Sequence, residues 1–413
     1  MENVRNKDKE KKIVFLFFLA WGFTFFNRLS INFAMPAIQE DLGLAATHTG
    51  IVVFAATVAM AVSAIIVGNM SDRQGKRKKF LFPAVLLVGI GSAASYFATS
   101  FELFVLIRIF VGLGLGPVLG MIFAITEAAS SENKFGRNTG LIMAGDALFA
   151  SIIGPIAITQ LIGLFSWQVA LSISSIPTII VAVLIAKVVP EVDTLLPEKV
   201  ATETTVEVPK AKRNPVEIFK YPNVVPCTIL IVTTLGAYFS LIIYAPLYLT
   251  EISGFSLETM GFTASLMGVI YIFYAIFIPR STDRFGRKPV LITTCIVCAI
   301  APLAMYMFPT SNLSIIGYVI FGGTAGAIHV FFNTIIPLES LPEDLKTTGC
   351  SIIFTFGEIL GAATFPLISG IIADQFGYTA VMLLSAVLFI FSFAFCFVLK
   401  ESNKSLARKL KKA

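Results

Sequence analysis

Long apolar segments recur along the whole chain of 413 residues. At a rise of about 1.5 Å per residue, roughly 20 apolar residues in a helix cross the ~30 Å hydrocarbon core of a bilayer. The composition agrees, because 56% hydrophobic and only 14% charged residues, with a mean hydropathy of +0.85, lie outside the range of soluble domains. The sequence therefore predicts an all-α polytopic membrane protein with twelve transmembrane helices. The apolar segments lie near 13–36, 48–70, 80–99, 102–125, 139–163, 168–189, 224–249, 259–279, 289–308, 312–337, 347–372 and 377–399.

The distribution of Lys and Arg predicts the orientation of the chain. Apart from Arg28 and Arg108, all of them lie in segments that an even number of helices places on the same side as both termini. Positive residues mark the cytoplasmic side, so we expect a multi-pass protein of the cell (plasma) membrane with both termini in the cytoplasm. The first span is too long for a signal peptide and is expected to be retained. The pI near 9.0 follows from this topology and requires no nucleic acid as a partner.

The chain is expected to consist of two related six-helix halves. We predict an N-terminal bundle over 1–190, a cytoplasmic linker over 191–220 and a C-terminal bundle over 221–413. The pattern D-R-x-G-[RK]-[RK] begins at Asp72 and again at Asp283, an offset of about 211 residues. Such a repeat of membrane halves is typical of secondary transporters, whose binding site lies between the halves near the midplane.

The duplicated loop pattern, together with the sequence Arg108-x-x-x-Gly112-x-Gly114 in the fourth span, resembles the major facilitator superfamily. The resemblance covers residues 13–399 and implies two pseudo-symmetric six-helix bundles that rock about a central cavity, in a protein we expect to be a monomer. A carboxylate in the loop can meet a helix N-terminus or a cation, and Gly75 permits the tight turn. We therefore expect a gating role, without substrate contact, for four loop residues, Asp72, Arg73, Asp283 and Arg284.

An arginine within the first span is the strongest indication of a functional site. Arg28 lies past the midpoint of the span, where a charge costs about 2.5 kcal/mol or more unless it faces a cavity or a partner. A structural arginine satisfied by a carboxylate or by helix C-termini is the alternative. Arg28 and Arg108 are the two cations deep within the predicted spans, since Lys187 lies at the end of its span, and a planar guanidinium suits a carboxylate ligand.

Residues 28–38 and 41–44 are similar to the organic-anion branch of that superfamily, the anion:cation symporters. That branch includes transporters of sugar acids, hexuronates, sialic acid and glutamate. The resemblance implies that Arg28 binds the substrate carboxylate and that Arg108 organises the pocket or takes part in coupling. Asn27 and Asn32, on the same helix, are further substrate-binding candidates.

The sequence constrains the coupling ion, a proton or sodium, less than it constrains the substrate. The branch usually has an Asp before the first-helix arginine and a Glu in the fourth helix, but Asn27 and Leu115 stand at those positions. Asp146 and Glu358 are other acids within spans, and a carboxyl group buried there holds a proton more readily than in water. His329 titrates near neutral pH in water. These three residues are the coupling candidates, and a hydrogen-bonded structural role is the alternative for each.

Polar aromatic residues in the C-terminal half are candidates for substrate contacts. Tyr271 and Tyr274 are three positions apart and share a helix face, and Tyr238 lies in the preceding span. Asn333 and Glu358 complete this substrate-binding set. For any single tyrosine, packing or an interfacial position is the alternative.

Small residues indicate where helices approach closely. Gly112, Gly116 and Gly120 recur at every fourth position of the fourth span and predict a stripe along which another backbone packs. Cys295 and Cys298 have the spacing of a metal or redox pair but no second pair, so we interpret them as small buried hydrophobic residues.

The motifs of enzymes and ATP-driven pumps are absent from the sequence, and no cofactor or metal is expected. We therefore predict a secondary active transporter that moves a small organic anion, a carboxylate, by alternating access within membrane lipid. The alternative is a proton-coupled drug or metabolite exporter of the same fold, since Gly145 and Gly154-Pro155 resemble part of an exporter motif. A receptor or scaffold that no longer transports is a third reading, against which the two intact loops argue.

Overall fold

The computed structural model describes residues 2–131, 134–191, 215–342 and 345–402. Within those ranges all regular elements are helical. Twelve helices are long and apolar enough to cross a membrane, which agrees with the twelve predicted spans, although most extend a few residues further. The predicted linker lies largely outside the described residues. The helices are α1 (Asp8–Leu42), α2 (Ala46–Gln74), α3 (Arg77–Phe97), α4 (Phe101–Ala129), α5 (Phe135–Leu164), α6 (Trp167–Val188), α7 (Val224–Glu251), α8 (Leu257–Phe285), α9 (Arg287–Met307), α10 (Asn312–Ser340), α11 (Thr348–Phe376) and α12 (Tyr378–Val398).

The chain divides into two compact units. The first comprises Met1–Gly43 with Ala55–Lys210, and the second comprises Leu44–Phe54 with Ala211–Ala413. The first turns of α2 therefore belong to the second unit. There the Asp374 carboxylate accepts hydrogen bonds from the backbone N–H of Ala46, at 2.7 Å, and of Thr47, at 3.0 Å. A carboxylate at this position satisfies the N–H groups that a helix start leaves open and complements the helix dipole.

Close backbone approaches organise the first unit. Gly112 and Gly116 of α4 face the backbone carbonyls of Ala56 and Met60 of α2, as the glycine stripe predicts. The prediction is wrong for Gly120, whose missing side chain would meet no atom within 4 Å. Glycine is required where another backbone occupies the place of a β-carbon, and the regular spacing of the three glycines does not show where α2 diverges from α4.

The second unit is built around α7, whose apolar residues are the most buried of the twelve helices. Two of its tyrosines are fully buried, and their hydroxyls donate to backbone carbonyls, from Tyr244 to Pro366 at 2.8 Å and from Tyr248 to Met305 at 2.6 Å. These bonds satisfy the polar ends of large side chains in an apolar interior. Cys295 and Cys396 are also buried, and their sulfurs are 3.7 Å apart without a disulfide bond.

Within the described residues, π-helical segments interrupt α5 of the first unit and both α10 and α11 of the second. They comprise Ala147–Ile153 in α5, Phe331–Ile335 in α10 and Gly357–Ala363 in α11. The segments of α5 and α11 are each soon followed by a proline, Pro155 or Pro366, so these two occupy equivalent places in the repeat. π-Helical turns are rare and occur frequently at functional sites. Asp146 and Glu358, two of the coupling candidates, lie at the start of these segments.

Candidate functional site

Three helices of the first unit meet at a buried polar cluster centred on Asn27. The Asn27 amide nitrogen donates to the backbone carbonyl of Phe23 at 2.8 Å and to the hydroxyl of Thr178 in α6 at 2.7 Å. The backbone carbonyl of Asn27 accepts a hydrogen bond from Arg108 Nη2 of α4 at 3.0 Å and one from the Ser30 hydroxyl at 3.2 Å. Asn27 therefore connects α1 with both α4 and α6.

Arg108 is enclosed in this cluster, with 3% of its surface exposed. Its Nη2 atom donates to a neutral carbonyl, and its Nε atom has no hydrogen-bond partner within the described part of the chain. Among those same residues, no carboxylate lies within ion-pairing distance of it. A positive charge held by neutral groups in a low-dielectric interior favours the approach of an anion.

Arg28 follows Asn27 directly and is half-buried. Its guanidinium carbon lies 5.4 Å from the centroid of the Phe25 ring, within the range of a cation–π contact. Asn32, one turn further along α1, is buried. Because Arg108 donates to the Asn27 carbonyl, its guanidinium lies next to the residue that precedes Arg28 in α1. The structure therefore places Arg108 near the α1 segment that carries Arg28.

In the second unit, two predicted tyrosines lie against Gly326 of α10, and His329 packs against one of them. The rings of Tyr238 and His329 are 5.2 Å apart between centroids. A β-carbon at Gly326 would lie 2.9 Å from Cε2 of Tyr271 and 3.2 Å from the hydroxyl of Tyr238. Nε2 of His329 is enclosed and has no hydrogen-bond partner in the described residues. This aromatic cluster, Tyr238, Tyr271 and His329, offers ring faces, a hydroxyl and an imidazole nitrogen.

The remaining candidates are Tyr274, Asn333 and Glu358 of the second unit and Asp146 of the first. Tyr274 and Asn333 are half-buried, and the Asn333 carbonyl oxygen accepts a hydrogen bond from the Thr334 hydroxyl at 2.8 Å. Glu358 is 7% exposed and lies within the π-helical segment of α11. Asp146 of the first unit is half-buried, and its carboxylate accepts a hydrogen bond from the Ala147 N–H at 2.8 Å.

In both loop motifs, the aspartate pairs with an arginine that is not among the four predicted gating residues. Asp72 forms an ion pair with Arg77, and Asp283 forms one with Arg287 at 2.5 Å. Arg73 and Arg284, the other two gating candidates, are exposed, and Arg284 lies over the ring of its neighbour Phe285 at 5.1 Å. The arginine that meets the motif aspartate is thus the one at the end of the pattern or next to its end.

Two acids that the sequence analysis missed fix the starts of α3 and α9. The Glu191 carboxylate accepts from the backbone N–H of Lys78 and Lys79, at 3.2 and 3.0 Å. Glu401 accepts in the same way from Arg287 and Lys288, at 3.0 and 3.1 Å. The two acids are separated by about the same offset as the loop motifs, so extending the repeat beyond the motifs would have found them.

Within the described residues, no group of three or more His, Cys, Asp or Glu is arranged to hold a metal ion. The described residues form twelve apolar helices in two similar six-helix sets. One set holds the buried Arg108 and the half-buried Arg28, and the other holds the aromatic cluster. This arrangement defines a multi-pass membrane transport protein. The sequence profile of the Major Facilitator Superfamily matches residues 14–359. The chain belongs to the Major Facilitator Superfamily, as its loop motifs predict.

Relatives of this chain include transporters of organic anions. It is 30% identical to the hexuronate transporter of Bacillus subtilis (strain 168) over 314 residues, which is 70% of each chain. It is 22% identical to the sialic acid transporter NanX of Escherichia coli (strain K12) over 395 residues, 94% of this chain and 91% of NanX. The fold is similar to the inward-facing, occupied structure of a bacterial homologue of the human lysosomal transporter Spinster, with a TM-score of 0.78, 15% identity and coverage of 94% and 96%.

Proposed function

We propose that this protein is a secondary active transporter of small organic anions, with Arg28 binding the carboxylate of the solute. The relatives named above carry hexuronate and sialic acid, and a carboxylate is common to those two solutes. Arg28 is half-buried on α1, beside the cluster that holds Arg108. A guanidinium can form two parallel hydrogen bonds to one carboxylate, which gives both affinity and orientation.

The observation that carries the proposal is the environment of Arg108. Because its hydrogen bond goes to the Asn27 carbonyl and its Nε atom has no partner in the described residues, its charge is oriented but not neutralised. The positive charge of Arg108, held at the Asn27 carbonyl, raises the electrostatic potential around Arg28. We assign Arg108 a positioning role, in which it holds the α1 backbone and adds positive potential without touching the solute.

The aromatic cluster of the second unit supports a contribution to the uncharged part of the solute. Sugar acids and aromatic acids present ring faces and hydroxyl groups, which suit aromatic side chains and their polar ends. Tyr238 and Tyr271 supply these groups beside Gly326. Asn27 also remains in the predicted binding set, although its amide nitrogen is engaged by Phe23 and Thr178. Tyr274, Asn333 and Asn32 stay in that set as predictions from the sequence.

For coupling we propose Glu358 as the proton carrier. It is more enclosed than Asp146, because 7% of its surface is exposed whereas Asp146 is half-buried. His329 is the second candidate, because its Nε2 atom is enclosed without a partner in the described residues. Asp72 and Asp283 act in gating through Arg77 and Arg287, with both termini in the cytoplasm.

Uptake into proteoliposomes tests this proposal. Radiolabelled glucuronate and N-acetylneuraminate are offered together with glucose, which lacks the carboxylate of glucuronate. Wild-type protein should take up the acids and not glucose. Arg28→Ala should lower affinity for the acids by about 30-fold or more, because one partner of a charge-assisted pair is lost.

Two further variants make that result specific. Arg28→Lys keeps the charge but not the fork of donors and should retain part of the uptake, and Lys187→Gln, an exposed residue at the end of α6, should retain all of it. Full uptake by Arg28→Ala would remove Arg28 from the site. Extrusion of a lipophilic cation such as ethidium without any carboxylate uptake would favour the exporter.

A further inference from the structure

A pocket lies at the start of α5, and its lining includes neither Arg28 nor any residue of the aromatic cluster. An open pocket of about 170 Å³ is formed there by the first turns of α1 and α5. Its lining includes Glu10 and Lys11 of α1, and Lys134 and Arg137 at the start of α5. The proposed transport mechanism uses none of these residues.

The acidic residue of the pocket, Glu10, already has hydrogen-bond and ion-pair partners within the protein. Glu10 is 5% exposed. Its carboxylate accepts hydrogen bonds from the Ser131 hydroxyl at 2.5 Å and from the Asn138 amide at 2.8 Å, and Lys134 Nζ lies 3.9 Å away. These charge-assisted contacts hold the Glu10 carboxylate in place at the pocket.

The basic residues are more exposed than the acid they surround. Lys11 and Arg137 are exposed and Lys134 is half-buried. Lys11 also lies 3.9 Å from Asp8, a surface pair that contributes little. Among the lining residues, the three cations exceed the single carboxylate, so the open side of the pocket is positive.

The pocket continues into an apolar surface. Phe15 is 61% exposed and Leu141 is 54% exposed, and both belong to the pocket lining. Phe15 follows Lys11 by four positions and Leu141 follows Arg137 by four, so on each helix the cation and the apolar residue share one face. In a membrane-spanning helix, an exposed apolar side chain of this kind faces acyl chains.

We propose that this pocket binds the phosphate-bearing headgroup of an anionic phospholipid, with its acyl chains along Phe15 and Leu141. The cations match the phosphate, and basic pockets between membrane helices bind such headgroups. A soluble phosphate would meet the same cations but would leave the apolar part of the pocket unused. The lipid would connect α1 to the start of α5 beside the Glu10 contacts.

Native mass spectrometry of the full-length protein tests the proposal. Delipidated protein in detergent is titrated with phosphatidylglycerol, with phosphatidylcholine and with inorganic phosphate. Wild-type protein should retain one tightly held phosphatidylglycerol and no comparable phosphatidylcholine, and inorganic phosphate should not displace the lipid. The double variant Lys134→Gln/Arg137→Gln should bind it at least about tenfold more weakly, since each basic residue near an anionic lipid contributes about 1 kcal/mol.

Two matched variants separate this site from general attraction to a basic surface. Lys12→Gln/Lys187→Gln removes two exposed charges outside the pocket and should leave the tight lipid in place. Phe15→Ser keeps all the charges and should weaken lipid binding. Equal losses in the two double variants, or displacement of the lipid by inorganic phosphate, would overturn the proposal, and neither result would affect the role of Arg28.

Discussion

The two units of the molecule place different chemistry at equivalent positions of one repeat. In the first unit Asn27 and Arg108 form a buried polar contact between α1 and α4. The equivalent positions of the second unit are Tyr238 and Tyr318, both aromatic. Tyr318 is fully buried, and Tyr238 packs against His329. The repeat has therefore kept the helices and changed the groups that they carry.

The features that the units share are those that shape helices. Both have a π-helical segment followed by a proline, both pair a motif aspartate with an arginine, and both fix a helix start with a carboxylate. Under the proposed function, this difference assigns charge recognition to the first unit and stacking contacts to the second. Three variant pairs, each with one member in either unit, test this division.

The largest expected effect distinguishes the two acids at the π-helical segments. With a gradient of one pH unit, coupling to one proton supplies about 1.4 kcal/mol and concentrates the solute about tenfold. Glu358→Gln should abolish this accumulation but leave exchange of labelled for unlabelled glucuronate intact. Asp146→Asn should keep both, because an amide oxygen can still accept from the Ala147 N–H.

Accumulation and exchange are measured in the same proteoliposomes. If both variants accumulate glucuronate as wild-type protein does, neither acid carries the proton, and His329 becomes the leading candidate. If Asp146→Asn alone loses accumulation, coupling lies in the unit that also holds the arginines, and the division proposed above fails.

Sequence alone was sufficient for the architecture because the apolar spans, the loop motifs and the repeat are local patterns. It was insufficient for the contacts. The sequence shows two arginines within spans, but it does not show that Arg108 donates to the Asn27 carbonyl, since that bond depends on how α1 and α4 pack. The π-helical segments carry no periodicity that distinguishes them from the helices around them. Glu191 and Glu401 act on helices more than 100 residues away along the chain.

The second expected effect concerns the loop charges. Arg287 pairs with Asp283 at 2.5 Å and with Glu339 at 3.0 Å, and its side chain is 12% exposed. Arg77 pairs with Asp72 alone among the described carboxylates, and its side chain is 24% exposed. Arg287→Ala should destabilise the protein by about 1–3 kcal/mol, because the half-buried Glu339 loses its cation, whereas Asp283 is as exposed as Asp72. Arg77→Ala should cost about 1 kcal/mol or less, as expected for a pair with an exposed partner.

Reversible unfolding in SDS measures both changes, and the double variants with Asp283→Ala and Asp72→Ala give the coupling energy of each pair. Equal costs for the two arginines would show that Glu339 contributes nothing and that the loops are equivalent. The sequence motif, which is nearly the same in both loops, gives no reason to expect a difference.

The smallest expected effect compares two equivalent glycines. A β-carbon at Gly116 would meet the Met60 carbonyl and lie 2.7 Å from the Ala64 backbone nitrogen, and backbone atoms cannot move aside without shifting α2. Gly116→Ala should therefore destabilise the first unit by about 1–3 kcal/mol. The three atoms nearest to a β-carbon at Gly326 would all belong to side chains, namely the edge of the Tyr271 ring and the Tyr238 hydroxyl. Gly326→Ala should change stability by less than about 1 kcal/mol and instead alter glucuronate affinity, because the rings must rotate.

Gly120→Ala is the control for both, since nothing lies within 4 Å of a β-carbon there. It should be neutral or slightly stabilising, as alanine favours a helix more than glycine does. If Gly326→Ala destabilises the protein as much as Gly116→Ala and leaves affinity unchanged, the glycine of α10 serves helix packing like its counterpart in α4. The aromatic cluster would then be part of the scaffold, and solute recognition would rest on the first unit.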